Sequence, residues 1–227
     1  MAADHERFAD RRDAGRALGA ALAERAQGAE PADDLVVLGL PRGGVVVAAE
    51  VAAALGAPLD VLVVRKVGLP WQPELAMGAI AAVGDAVETV RTEAVIDRAR
   101  VQPATFDEVR DEELAELRRR ESAYRGDHPM VRVAGRPVIV VDDGLATGAT
   151  MRAAVAALRR QQPARITVAV PIGSPATCAD LAPLVDEVVC LQTPRSFRAV
   201  GQGYADFAPT SDDEVREALA RARAATP

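Results

Sequence analysis

The sequence predicts an α/β fold, one domain built around a largely parallel sheet. Three observations carry this. Apolar runs recur as "DLVVLGL", "LDVLVVRK", "RPVIVV", "RITVAVPIG" and "DEVVCLQT", and continuous runs of this kind suit strands buried on both faces. Stretches with helical spacing lie between most of them. Glycines and prolines punctuate the joins. With 227 residues, 49 % of them hydrophobic and 26 % charged, the chain can bury a full core in an ordinary globular domain.

The elements follow in order. Residues 9–27, "ADRRDAGRALGAALAERAQ", place apolar side chains at helical spacing and predict an amphipathic helix. "DLVVLGL" is the first strand and "PRGG" the turn after it. "VVVAAEVAAALG" is a helix stopped by Gly56. "LDVLVVRK", residues 59–66, reads as the second buried strand, joined by a right-handed crossover. Residues 67–78, "VGLPWQPELAMG", carry two prolines and read as a loop. "AIAAVG" and "AVETV" read as short strands, paired around Gly84 and Asp85.

Residues 104–125 are charge-dense, with acids first and arginines later, which suits a helix dipole and a solvated face. A second strand–turn–helix unit follows in "RPVIVVDDGLATGATMRAAVAALRRQQ". Then come a strand, a helix over "SPATCADLAPLV", and a last strand. Ser211 and Glu214 form a capping-box pattern that opens a C-terminal helix over 211–224. No repeat or low-complexity linker divides the chain, so a single domain over 1–227 is expected. Its core would lie at about 35–207, with the first and last helices as additions.

The formal net charge is -6 and the pI near 5.1, which weighs against a general nucleic-acid binder, a class that usually carries a basic surface. No apolar run reaches the roughly 18 residues of a membrane span. The start, "MAADHERFADRRDAG", has no signal-peptide core, and a cytoplasmic location is expected. Cys178, Cys190, His5 and His128 lack metal-ligand spacing. The cysteines read as reduced, partly buried thiols.

The stretch "VIVVDDGLATGATM", Val138 to Met151, carries the chemistry. An apolar strand runs into two acids, and ligands of open α/β sheets bind at such strand ends. Neighbouring residues on a strand point to opposite sides, so Asp142 and Asp143 need not compete for one space. "GLATGAT" can wrap backbone N–H groups around an anion, and it opens a helix whose N-terminus favours phosphate. Thr147 and Thr150 add hydroxyls. Carboxylates for sugar hydroxyls beside an amide cup for a phosphate fit a sugar phosphate. No Lys completes a P-loop, and no G-x-G-x-x-G occurs in the motif. Two carboxylates alone make a weak metal site.

This stretch resembles the phosphoribosyl diphosphate (PRPP) binding motif of type I phosphoribosyltransferases. Three further segments match in the family's order. "LGLPRGGVVVA" is similar to the diphosphate-binding loop, at Pro41, Arg42, Gly43 and Gly44. "VVRKVGLPWQPELAMGA" resembles the second-strand Arg-Lys pair, Arg65 and Lys66, and the flexible loop that closes over PRPP. "FRAVGQGYADF" resembles the C-terminal loop near the acceptor. With the early "FADRRDAGRAL", the whole resembles a bacterial subgroup described only as predicted phosphoribosyltransferases. The resemblance implies a Rossmann-like, mostly parallel sheet flanked by helices, with a small hood of extra elements.

It also implies roles. Asp142 and Asp143 would hold the ribose hydroxyls and favour positive charge on the sugar. Gly144, Leu145, Ala146, Thr147, Gly148, Ala149 and Thr150 would hold the 5′-phosphate. Pro41, Arg42, Gly43, Gly44, Arg65 and Lys66 would hold the diphosphate, with Arg42 and Lys66 supplying charge to the leaving group. The glycine loop of this family often contains a non-proline cis peptide. Mg²⁺ would bridge diphosphate and ribose oxygens while keeping several waters, so no direct protein ligand is assigned. Trp71, Phe197, Tyr204 and Phe207 are candidates for lining the acceptor site. Loop anchoring for Trp71, packing for the other three and an ion pair for Arg65 are the competing readings.

The sequence departs from the family at one place. Enzymes acting on 6-oxopurines carry an acid four positions after the first acid of the motif, and here that position is Ala146. The 6-oxopurine reading loses weight and the motif assigns no general base. The expectation is Mg²⁺-dependent transfer of 5-phosphoribosyl from PRPP to a nitrogenous, nucleobase-like acceptor, with a homodimer usual for the family. A PRPP or nucleotide sensor of the same fold is the alternative. A hydrolase of a phosphorylated ribose is the third reading, without an identifiable water position.

Overall fold

The computed structural model describes residues 7–26, 34–83 and 86–225. His5 and the expected Gly84–Asp85 turn lie outside the described residues. Helix α1 spans Arg11–Ala26, strand β1 Val36–Gly39 and helix α2 Gly43–Leu55. Gly56 ends α2 in the left-handed conformation (φ 62°), as a helix-stopping glycine should. Strands β2 (Leu59–Val61), β3 (Val64–Leu69), β4 (Gln72–Val83) and β5 (Ala86–Arg91) follow, then helices α3 (Glu93–Ala99) and α4 (Pro103–Arg125). The second half runs β6 (Pro137–Val141), α5 (Ala149–Arg160), β7 (Arg165–Ile172), α6 (Pro175–Leu181), β8 (Glu187–Gln192) and α7 (Asp212–Ala225).

Five strands form a parallel sheet in the order β2-β1-β6-β7-β8. Side chains alternate across it with period two. Val37, Ile139, Val141 and Ala169 pack on one face with α1, α2 and α7. Val36, Leu38, Val138, Val140, Ile166, Val168 and Val170 pack on the other with α5 and α6. Both faces are covered, which is why these strands read as unbroken apolar runs. From β1 the chain moves one way to β2, and from β6 it moves the other way to β7 and β8. The order therefore reverses between β1 and β6, and a ligand crevice opens at such a reversal.

Two expectations are corrected. Residues 59–66 are not one strand. Leu62 and Val63 are both fully buried, so the apolar run is continuous while the backbone leaves the parallel sheet. β3 instead starts an antiparallel sheet, β3-β4-β5, that carries Arg65 and Lys66. Residues 67–78 are not a free loop either. They are the hairpin end of β3 and β4, turning at Pro70–Trp71, with register shifts around Gly68. Proline is tolerated at a strand's start and at irregular pairing, so Pro73 punctuates the hairpin without abolishing it.

The charged helix α4 keeps its acids and arginines exposed or partly exposed apart from Arg125, and its inner side buries Phe106, Leu117 and Tyr124. Its last residue, Arg125, is buried against Asp60 of β2, with Nε 3.3 Å from Oδ1. Asp60 also accepts the Val131 N–H at 2.9 Å. This ion pair joins the antiparallel unit to the edge of the parallel sheet. At the C-terminus, Ser211 and Glu214 form the expected capping box: the Glu214 carboxylate accepts the Ser211 N–H at 2.7 Å.

Candidate active site

The loops after β1 and β6 meet at the reversal of strand order. Gly39 is in register with Val141, and the Leu40 N–H donates to the Val141 carbonyl at 2.9 Å. The first loop carries Pro41 and Arg42 and runs into Gly43 and Gly44 at the start of α2, and the second carries Asp142 and Asp143. The Pro41–Arg42 peptide is cis, as the resemblance implied. The two glycines lie directly on the two acids. A Cβ on Gly44 would fall 2.8 Å from the Asp142 Oδ1 and 2.9 Å from the Val141 carbonyl oxygen. A Cβ on Gly43 would overlap the Asp143 Oδ2 and lie 2.6 Å from the Arg11 Nε. Glycine at both positions is thus a packing requirement of the acidic pair as well as an opening for a ligand.

Beyond the acids the chain forms a cleft of about 230 Å³ lined by Asp142 to Met151 and by Val200. Its floor is tied to the neighbouring strand. The Leu145 N–H donates to the Ile172 carbonyl at 2.9 Å, and the Ser174 N–H donates back to the Leu145 carbonyl at 2.8 Å. The Thr177 hydroxyl donates to the Ala146 carbonyl at 2.6 Å. Arg152 donates to the Thr147 carbonyl at 2.7 Å, which sets a guanidinium beside the cup. Gly148 turns the chain at φ 71°, a conformation that glycine adopts without strain, and α5 starts at the next residue. Ala149 and Thr150, the first residues of α5, line the cleft, and the first amides of a helix have no partner within it, the usual basis of anion binding at a helix start.

Electrostatics sharpen the picture. Burial pushes the Asp142 carboxyl well above its ordinary range, and the neighbouring Asp143 raises it further. Its Oδ1 accepts the Asp143 N–H at 2.8 Å, which works the other way. Burial raises Asp143 too, opposed by Arg11, whose Nε donates to Oδ2 at 2.8 Å. Arg11 contacts Asp143 alone, so the charged form is disfavoured most strongly at Asp142.

The remaining sequence candidates are spread more widely. Arg42 is half exposed and points toward Asp212 of α7, 3.9 Å away. Arg65 pairs with Glu113 of α4 at 2.5 Å, the structural ion pair that competed with its diphosphate role. Lys66 lies beside it on β3, opposite Ala79. Trp71 is exposed at the β3–β4 turn, bordering an apolar recess with Leu75 and Val95, and does not line the cleft. Tyr204 is buried, and its hydroxyl donates to the Asp143 carbonyl at 2.5 Å, so it supports the acidic loop from behind. Phe197 packs near it. Phe207 stacks on Tyr204 and on the Arg11 guanidinium, 4.0 Å from the ring centre.

Arg11, Arg152 and Thr177 escaped the sequence reading. Arg11 stood inside the quoted "FADRRDAGRAL", but nothing in the chain order connects it with Asp143, 132 positions away. Arg152 sits one turn into α5, a position that the start of that helix could have flagged.

Among the described residues no helix is long and apolar enough to cross a membrane, and no group of three or more His, Cys, Asp or Glu is placed to hold a metal.

Residues 6–205 match the family model of the phosphoribosyl transferase domain. The chain is 49 % identical over 215 residues to "Putative phosphoribosyl transferase Rv0571c" of Mycobacterium tuberculosis (strain ATCC 25618 / H37Rv), and equally to its counterpart MT0597 in strain CDC 1551 / Oshkosh. Those matches cover 95 % of this chain and 47 % of each relative, so the chain spans about half the length of the curated relatives it matches. The crystal structure of TT1426 from Thermus thermophilus superposes with a TM-score of 0.81 at 43 % identity, covering 95 % of this chain and 98 % of that one. By its sequence and by the fold that carries the motif, the chain belongs to the phosphoribosyl transferase domain family.

Proposed function

We propose that this chain transfers a 5-phosphoribosyl group from PRPP to a nitrogenous, nucleobase-like acceptor, with release of diphosphate. One observation carries the reading: the acidic pair, the amide cup and the double-glycine loop converge at the reversal of the parallel sheet. The amides at the start of α5, with Thr147 and Thr150, would hold the 5′-phosphate. Asp142 and Asp143 would accept hydrogen bonds from the ribose hydroxyls. The amides of Gly43 and Gly44, at the start of α2, would face the diphosphate, with Arg42 as the nearby cation.

In this reaction the bond from C1′ to the diphosphate oxygen breaks and its electron pair leaves with diphosphate. The acceptor nitrogen forms the new bond to C1′ and its proton passes to solvent or to a base. Positive charge builds on the ribose between those events, next to the partly buried Asp142 and Asp143 carboxyls. Preorganised charge of this kind is worth most in a site closed to water. No residue of the motif is placed as general base, since Ala146 has no proton acceptor in its side chain.

Mg²⁺ belongs to the same proposal. The chain offers a fit through the excess negative charge of the Asp142–Asp143 pair, which a hydrated divalent ion on the ligand would relieve. When bound, the ion would neutralise charge on the leaving diphosphate. Asp142 and Asp143 are the residues that would face it, directly or through water.

A screen of heterocycles for PRPP-dependent diphosphate release tests the reaction. Release with one class of nitrogenous base, saturating in both substrates, is the expected result. Saturable PRPP binding with no release across a broad panel would replace the enzyme with a regulatory PRPP-binding module. Equal release without any acceptor would replace it with a hydrolase.

A further inference from the structure

Cys178 and Cys190 are thiols that the proposed reaction leaves unused, and the fold brings them together beside the floor of the phosphate cup. Cys178 lies on α6, and Cys190 lies on β8 opposite Val170. Both are free and partly exposed, and both pack against the apolar cluster on the α5 and α6 face of the sheet. They converge on Gly173. A Cβ there would fall 3.2 Å from the Cys178 Sγ and 3.2 Å from the Cys190 Sγ. The missing side chain leaves room for both sulfurs, and the Cys190 thiol donates onward to the Gln192 carbonyl at 3.2 Å.

The same segment holds the cup. Leu145 bridges to Gly173, and the Ser174 N–H donates to the Leu145 carbonyl at 2.8 Å. Thr177, one residue before Cys178, donates its hydroxyl to the Ala146 carbonyl at 2.6 Å. Its Cγ2 lies 2.6 Å from the position a Cβ would take on Gly148. β8 is fixed by its parallel ladder with β7, whereas α6 is a helix of only 7 residues. An S–S bond of about 2.05 Å is shorter than any contact between separate thiols, so forming one would draw α6, and Thr177 with it, toward β8. We propose that Cys178 and Cys190 are a redox-active dithiol that closes to a disulfide by exchange with a small-molecule disulfide, and that closure loosens the phosphate cup through Thr177. The consequence for PRPP rests on the phosphoribosyl reading above; the disulfide and its effect on the cup do not.

The exchange runs in two steps. Cys178 attacks first as the thiolate, the form that its neighbour favours. It bonds to one sulfur of the small disulfide; that S–S bond breaks, and the other sulfur leaves as a thiolate with the electron pair. Cys178 in the mixed disulfide carries no charge, which removes its charge repulsion from the rise at Cys190. Cys190 then gives its proton to solvent and attacks the Cys178 Sγ. The protein disulfide forms and the second small thiolate leaves. Two protein thiols are oxidised and one small disulfide is reduced to two thiols. The two protons released by the protein match the two that those thiolates take up.

The test treats wild type and Cys190→Ser with oxidised glutathione, then with dithiothreitol. Mass spectrometry reads the products, amide hydrogen exchange reads Ala146 to Thr150, and calorimetry reads PRPP binding with Mg²⁺. Oxidised wild type should lose two hydrogen atoms and yield a peptide linked through Cys178 and Cys190. Its cup amides should exchange faster and its PRPP affinity should fall about tenfold, the scale of a small misplacement in a preorganised site. Dithiothreitol should reverse all three. Cys190→Ser should stop at a glutathione adduct on Cys178, and Cys190→Ala replaces it if the serine variant does not fold. Wild type that keeps both thiols free, or stops at an adduct, would overturn the proposal. So would a disulfide that leaves cup exchange unchanged, or one that raises exchange across the whole chain, which is unfolding. Reduced protein that never binds PRPP, with cup exchange responding as described, would overturn the phosphoribosyl reading and leave the dithiol switch standing.

Discussion

Gly43, at the start of α2, lies against the Asp143 carboxylate, on the loop after β6, so closely that no side chain fits between them. The contact joins the two halves of the proposed site. A methyl group at position 43 must displace the carboxylate, the Arg11 fork beside it, or the loop itself. Gly43→Ala should therefore weaken PRPP binding by about tenfold or more, the consequence of small misplacements in preorganised sites. Calorimetry on the folded variant checks this. Near-normal affinity would show that the close packing of glycine on acid is not what positions the carboxylate.

Asp142 predicts a conflict between stability and function. Its carboxyl is raised by burial and by Asp143, so the folded state holds that proton more tightly than the unfolded chain. The stabilising contribution of this group is present at low pH and is lost as pH rises through the raised folded value. The charged form of the group is disfavoured in the folded state. Asp142→Asn removes the charge at nearly constant shape, and should stabilise the fold by about 0.5–2 kcal/mol at pH 7. The gain should shrink as the pH falls and the native carboxyl itself becomes neutral. Urea denaturation across that pH range measures it, and PRPP binding should fall in parallel. A variant less stable than wild type at pH 7 would contradict the assignment of a buried, unfavourable charge.

Tyr204 predicts the reverse pattern, structural loss without direct loss of ligand contact. Its hydroxyl donates to the Asp143 carbonyl from a buried ring wedged between Phe8 and Phe207. Tyr204→Phe leaves that carbonyl short of a donor and should cost about 1–3 kcal/mol. A lowered melting temperature with PRPP affinity reduced less than about threefold is the expected outcome. A large loss of affinity without loss of stability would place the ring in the ligand site after all.

The two cysteines differ in reactivity. The neighbouring thiols shift each other, Cys178 downward and Cys190 upward, and burial raises Cys190 further, while the Cys190 thiol donates to the Gln192 carbonyl at 3.2 Å. Cys178 should thus be the thiolate that alkylates first. Iodoacetamide at pH 8 followed by mass spectrometry should find the early adduct on Cys178, and first modification at Cys190 would contradict the polarity of the pair.

Much of the fold was legible because a parallel sheet covered on both faces writes itself as apolar runs, and β1, β6, β7 and β8 appeared as such. The same property concealed the break at Leu62–Val63, where burial continues while the chain changes sheets. The β3–β4 hairpin was hidden by Pro70 and Pro73, which mark a loop in sequence but here occupy a turn and an irregular strand start. The acidic pair with its small-residue loop was readable because its parts are contiguous. Arg11 was not, because its meaning arises only when α1 packs against a loop 132 residues away. The aromatic cluster of the C-terminal loop was visible as composition, and the buried side of Tyr204 only as structure.

PRPP binding at the junction of the β1 and β6 loops is the central expectation for this protein. Calorimetric titration of PRPP with Mg²⁺ into wild type and into the folded Asp142→Asn, Asp143→Asn double variant tests it most directly. Saturable binding that disappears in the double variant is the predicted result, and binding of equal strength in both would contradict it.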